Sequence, residues 1–341
     1  MFTILIVLIL AFLFSLKSQK DSMQLDKYYL VKSRCDILKA ILPFAIVLAH
    51  LSFYTHNPII QNFRYSGPYV VGLFFFISGY GLEYKYHNNG LDFSMFPHRV
   101  KKLLTPLIFP IVLYLVLLHC FQYDVLTTIY ANFTTFSLFI PYTWFVVVLL
   151  ILNTVFYAVR RYFRSNTKMY AALFVITTIF LAVLYLNGID GTTYVSNYAF
   201  LLGIFYKNNE KNTFIWLGHK KNCWYILAAF LALAVCSFAY ISGNPPFHGF
   251  ALIGVTAYVL PFVFIFSFIK VSINKVFLFL SNISYEVYIL QGVTFVLFEN
   301  LIKGEYHLLI LLAFILVNTL LAYISKRITI RIEKELYYLC R

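Results

Sequence analysis

Lys39 and His50 lie eleven residues apart on one apolar stretch. At about 100° and 1.5 Å per residue of helix, that separation returns to within about 20° of the same face and covers about 16 Å of axis. One face would then carry a cation at the rim of a hydrophobic layer and an imidazole about halfway through it. An imidazole titrating near neutrality suits proton transfer, and a fixed cation suits an anionic substrate. Each residue alone has a simpler reading. His50 would be a buried neutral ring bonded to a backbone carbonyl, and Lys39 a boundary lysine whose stem follows apolar surface while its ammonium reaches water.

Within apolar stretches a strongly polar side chain costs about a few kcal/mol, which makes each one a functional candidate. The set is Lys39, His50, Ser78, Glu83, Asn153, Glu286, Gln291 and Asn318. Around Ser78, the small residues Gly72, Gly79 and Gly81 allow close helix approach, an ordinary packing feature, and Ser78 itself can bond its own helix. From Ser281 to Gly292, helical spacing puts Ser284, Tyr288 and Gln291 on one stripe and Asn282 with Glu286 nearly opposite. A helix polar on two sides faces lipid on neither, so Glu286 is expected neutral or paired with a cation. The run from Phe96 to Pro106 brings Arg99, Lys101 and Lys102, the composition of a stop-transfer signal before a helix-starting proline. Trp144, beside Tyr142, reads as an aromatic belt residue at a membrane interface.

The elements that must position these residues are membrane helices. Residues are 61% hydrophobic and 12% charged, against about 25% charged in a soluble domain, and the mean hydropathy is +0.80. A spanning helix needs about 20 mostly apolar residues. Candidates lie near 2 to 16, 38 to 55, 68 to 84, 103 to 121, 142 to 159, 169 to 187, 193 to 206, 222 to 241, 250 to 269, 276 to 298 and 307 to 325. All of the 27 lysines and arginines except Arg64 and Lys303 fall in every second gap between them. Short basic loops stay cytoplasmic, so the chain is expected to weave through a bilayer with its C-terminus inside and its N-terminus outside. The fold class expected is all-α, a polytopic bundle of about ten or eleven spanning helices without a soluble domain. Residues 1–29 would form an extra N-terminal hydrophobic helix and basic loop, 30–325 the bundle, and 326–341 a basic cytoplasmic tail. The outward gap from Phe121 to Pro141 is expected to be re-entrant or interfacial.

The formal charge of +14 is spread over several short loops rather than one arm, so orientation accounts for it and nucleic acid is not an expected partner. The five cysteines form no CxxC, so neither a metal site nor a disulfide framework is expected. Buried charges in a bundle also mark transport paths, which leaves a transporter or flippase for glycan-linked lipids as the alternative to an enzyme. Internal symmetry or broken helices would mark it, and the sequence has neither. A third reading is a membrane scaffold or sensor, whose polar residues only join helices.

Five segments, in order, resemble the signatures of the membrane acyltransferase type 3 family of bacterial cell-surface acylation enzymes. They are Arg34 to His50, with Lys39 where arginine is commoner; Phe75 to Tyr80; Arg99 to Pro106; Tyr142 to Phe145; and Ser284 to Ile289. The resemblance covers about residues 30 to 325, and it departs where Gln291 stands in place of a frequent histidine. It implies transfer of an acyl group, most often acetyl, from cytoplasmic acetyl-CoA or another acyl-CoA to a hydroxyl of a cell-surface glycan or a lipid-linked saccharide. On that reading Arg99, Lys101 and Lys102 clamp the phosphates of the donor, with Lys39 guarding the way in. His50 is the expected catalytic base, and Lys39, Glu286, Ser78 and Tyr80 are further candidates. Membrane lipids are the other expected partners.

Overall fold

A backbone surrounded by lipid must satisfy its own N–H and C=O groups, and the apolar stretches accordingly form helices. The computed structural model describes residues 32–55, 57–90, 94–217, 249–267, 274–302 and 308–339, and among these every regular element is helical. In chain order they are α1 (Lys32–Leu51), α2 (Pro58–Gln61), α3 (Gly67–Asn89), α4 (Met95–Leu104), α5 (Ile108–Cys120), α6 (Val125–Thr134), α7 (Trp144–Tyr162), α8 (Asn166–Leu186), α9 (Tyr198–Leu217), α10 (Gly249–Ser267), α11 (Lys275–Asn282), α12 (Ser284–Ile302) and α13 (Leu308–Leu339). The stretches expected at 2 to 16 and 222 to 241 lie outside the described residues, as does most of the first basic loop.

The protein is a helical membrane bundle. By length and composition, Met95–Cys120, α7, α8 and Leu309–Leu336 are able to cross a membrane, and α11 with α12 adds one more if that pair, bent by 62°, is a single span. Among the described residues, fewer helices meet those criteria than the ten or eleven spans expected from the whole sequence. Charge explains the shortfall in α1, whose N-terminal half holds Lys32, Arg34, Asp36 and Lys39. The apolar segment expected at 276 to 298 is broken at Ile283, between α11 and α12. Helix α13 runs on to Leu339, through residues read from sequence as a tail.

The gap between α5 and α7, expected from sequence to face outward, holds the short helix α6. Asp124 caps it, accepting from the backbone N–H groups of Leu126 and Thr127, while Leu126 and Tyr130 are exposed. The Thr127 hydroxyl also donates to Asp124, holding its carboxyl below the ordinary aspartate value. An apolar face this open beside a capped polar end suits the interfacial placement expected from sequence.

Two glycines set the closest helix crossing, between α3 and α9. A Cβ on Gly79 would run into the Phe200 carbonyl, and one on Gly203 into the Phe76 carbonyl, so backbone meets backbone. Gly72 packs against Val255 of α10, whereas Gly81 has open space beside it. Helix α12 occupies the centre, against α1, α5 and α13, with Glu286 to Phe295 buried along its length. Gly203→Ala is expected to lower the melting temperature of the detergent-solubilised protein, since overpacking of this kind costs about 1–3 kcal/mol, while Gly81→Ala leaves it in place. Equal melting curves for the two variants would contradict the crossing.

Candidate active site

Helices α1 and α3 run antiparallel, since Gly67 at the start of α3 faces Ala49 near the end of α1. Between them lies a cavity of about 850 Å³. Helix α1 lines it with Lys32, Cys35, Lys39 and Ile46, a single helical stripe. Helix α3 lines it with Phe74, Ile77, Ser78, Gly81, Tyr84, Lys85 and Asn88. Lys32 to Ile46, like Phe74 to Asn88, is about 21 Å of helix, so the cavity is long and polar at one end only. The polar end holds Lys32, Lys39, Lys85, Arg99 and Lys207, and among the described residues no carboxylate lines it. The far end is lined by Ile46, Phe74, Phe145 and Tyr288.

Two of those cations are already matched. Lys39 lies 3.6 Å from Asp36, and Lys207 donates to Glu210 at 2.7 Å. Arg99 is held by Asn153, whose Oδ1 accepts from Nη1 at 3.1 Å. Among the described residues, no carboxylate is within ion-pair distance of Lys85 or Arg99. Lys85 lies just beyond the apolar part of α3, and burial, then the charges of Arg99 and Lys102, hold its ammonium below the ordinary lysine value. Like charges turned toward one another in a cavity are costly until an anion arrives between them.

His50 does not line this cavity. It lies one helical turn past Ile46 on the same face, about 6 Å along the axis, so the shared face with Lys39 holds but the open groove stops short. The Tyr142 ring stacks on the imidazole with centroids 4.1 Å apart, its hydroxyl is 2.9 Å from that of Tyr54, and its carbonyl accepts from the Tyr288 hydroxyl. Tyr142 has φ of +68°, an uncommon conformation for a bulky residue, and Gly292 is the reason its loop can press so close. A Cβ there would lie 2.9 Å from the Pro141 carbonyl.

Gln291 sets the ring's chemistry. Its Oε1 lies 2.9 Å from His50 Nδ1, and a carbonyl only accepts, so Nδ1 carries the proton and Nε2 the lone pair. Gln291 is fully buried, and its Nε2 has no partner among the described residues. Gln291 is thus the side chain that holds the imidazole.

The remaining sequence candidates divide. Ser78 and Arg99 join Lys39 on the cavity wall, and Lys102 lines a side chamber next to it. Lys101 lines neither, because it points off the stripe of α4 that carries Arg99 and Lys102. Tyr80 is on the wall, but its hydroxyl donates to Glu210 at 2.9 Å, away from His50. Glu286, expected as a catalytic candidate, is 1% exposed and turned to α13, where Lys326 donates to it at 3.1 Å. Asn318 joins the same two helices, bonding the Val287 carbonyl and Thr294. Glu83 accepts from Arg160 in a buried pair, with Asn166 at 3.0 Å and the Tyr86 ring completing the guanidinium's surroundings. Sequence marked Glu83 as costly but left Arg160 among the loop charges. Among the described residues, no group of His, Cys, Asp or Glu side chains is placed to hold a metal ion.

The family model described as an acyltransferase domain, that of the type 3 acyltransferases, matches residues 33–327. No curated protein and no solved structure matches the chain.

Because the Glu83–Arg160 pair anchors the back of α3, Arg160→Met is expected to strand a buried carboxylate and destabilise the protein by about 3–5 kcal/mol. Adding Glu83→Gln is expected to recover most of that loss. Thermal unfolding in detergent of the single and double variants tests it, and an Arg160→Met protein as stable as wild type would refute the pairing.

Proposed function

Since this chain belongs to the type 3 acyltransferase family, its activity is that of a membrane acyltransferase, and we propose that it moves an acyl group, acetyl foremost, from coenzyme A to a hydroxyl of a cell-surface glycan or its lipid-linked precursor. The observation that supports this reading is the gradient along the cavity. Unmatched cations stand at one end and apolar side chains at the other, close to a histidine with a free lone pair. Acyl-CoA has the same polarity, phosphates at one end and a short acyl thioester at the other.

In this reading the Lys39 end opens to the cytoplasm, as the distribution of basic residues favours, and the C-terminus lies on that side with the N-terminus opposite. Lys85 and Arg99 hold phosphate oxygens, Arg99 in a fork fixed by Asn153, and Lys32 and Lys39 line the way in. The pantetheine arm runs past Ser78 toward Ile46. The thioester meets His50 when Phe145 and Tyr288, which line the apolar end of the cavity, move aside. His50 Nε2 takes the proton of the acceptor hydroxyl as its oxygen bonds the acyl carbon, and the Gln291 carbonyl steadies the resulting imidazolium. The carbon–sulfur bond then breaks, and the proton passes to the leaving thiolate. Tyr54 and Tyr142, joined on the far side of the ring, offer flat surfaces on which a sugar can lie.

Membranes carrying the protein, given labelled acetyl-CoA, are expected to pass label to saccharide. His50→Ala is expected to reduce the rate at least 100-fold with the protein still present, in the range that general base catalysis contributes. Label transfer unchanged in that variant would remove His50 from the reaction, and no transfer by the wild type would overturn the reading.

Lys85 adds a pH dependence with a definite sign. Its depressed value means that the ammonium, and with it attraction for phosphate, is lost at lower pH than for an ordinary lysine. The KM for acetyl-CoA is therefore expected to rise as pH is raised through that value, and Lys85→Arg, always charged, to flatten the rise. An identical KM profile in the two proteins would contradict the role of Lys85.

A further inference from the structure

Beside the main cavity lies a second chamber of about 250 Å³. The two share Ser78, Lys85, Arg99, Leu103 and Leu149, so one opens against the other. Helix α4 supplies most of the chamber's remaining polar wall with His98 and Lys102, which with Met95, Arg99 and Leu103 form one helical stripe. Lys85, His98, Arg99 and Lys102 all face it, and among the described residues no carboxylate does. Asn153 and Tyr157, both buried, form the opposite side, and Asn153 fixes the guanidinium on the shared wall. A space this size is below that of sites for drug-sized ligands, about 300–1,000 Å³, but roomy for a single anionic group.

Coenzyme A carries its negative charge in two places, the diphosphate that leads to pantetheine and a separate phosphate on the 3′ position of the ribose. We propose that the side chamber is a second anion subsite, which takes the 3′-phosphate while the diphosphate stays in the main cavity. Arg99 and Lys85, on the common wall, stand between the two phosphate groups and serve both. Lys102 and His98 belong to the 3′ group alone. The subsite selects coenzyme A over donors that lack a second phosphate, such as 3′-dephospho-CoA or the phosphopantetheine arm of an acyl carrier. This inference rests on the proposal that coenzyme A is the donor.

Calorimetric titration of the purified full-length protein with CoA and with 3′-dephospho-CoA separates the two claims. A charge-assisted phosphate contact corresponds to about a tenfold or greater preference, so CoA is expected to bind at least tenfold more tightly. In His98→Ala/Lys102→Ala the preference is expected to shrink to within about threefold, and in Lys102→Arg to persist. Both substituted residues are exposed, so the fold is expected to tolerate their loss. Equal wild-type affinities for the two compounds would overturn the subsite and leave the donor reading standing, as would a preference that survives the double substitution. Binding of neither compound would overturn the donor reading and the subsite together.

Discussion

Cations that face one another at the polar end of a cavity are the constraint around which this molecule is arranged. Burial, then the charges of Arg99 and Lys102, hold the Lys85 ammonium below the ordinary lysine value. Such an arrangement is sustained only if the surrounding structure over-determines it, and here the supports are identifiable. Asn153 fixes Arg99, the buried Glu83–Arg160 pair fixes the back of α3, and the Gly79–Gly203 crossing locks α3 against α9. In the proposed function, the stability invested in those contacts holds an anion site open.

The same reasoning separates the site into two unlike halves. Toward Lys39 the walls are charged and wide. Toward His50 they are rings, stacked and hydrogen-bonded from Tyr288 through Tyr142 to Tyr54. In the proposed function, donor and acceptor come from opposite sides of the membrane, and the two compartments have to be kept from leaking into each other. Packed aromatic side chains that can rotate are well suited to that task, because they exclude water without carrying charge.

Much of this was legible in the sequence, for physical reasons that can be named. Charge and hydropathy marked the helices, and the cost of polar groups in lipid singled out Ser78 on the cavity wall, Glu83 and Asn153 among its supports, and the His50–Gln291 pair beyond its end. The two-sided stripe on α12 was also readable, and it explains why Ser284 and Tyr288 face the cavity while Glu286 turns to Lys326. What could not be read were relations between distant segments. Arg160 looked like any loop arginine until it met Glu83, 77 positions away. Tyr142 gave no signal of its positive φ, and the break at Ile283 left no proline or glycine to mark it. Lys101, adjacent to Lys102, shows how a one-residue step around a helix removes a cation from a site that composition alone would grant it.

The most direct measurement is a structure of the full chain bound to a non-hydrolysable thioether analogue of acetyl-CoA. The account predicts phosphate density between Lys85 and Arg99 and the acyl end against Ile46 and Tyr288, within one helical turn of His50. A nucleotide bound outside the α1–α3 cavity, or an acyl end directed away from His50, would contradict it.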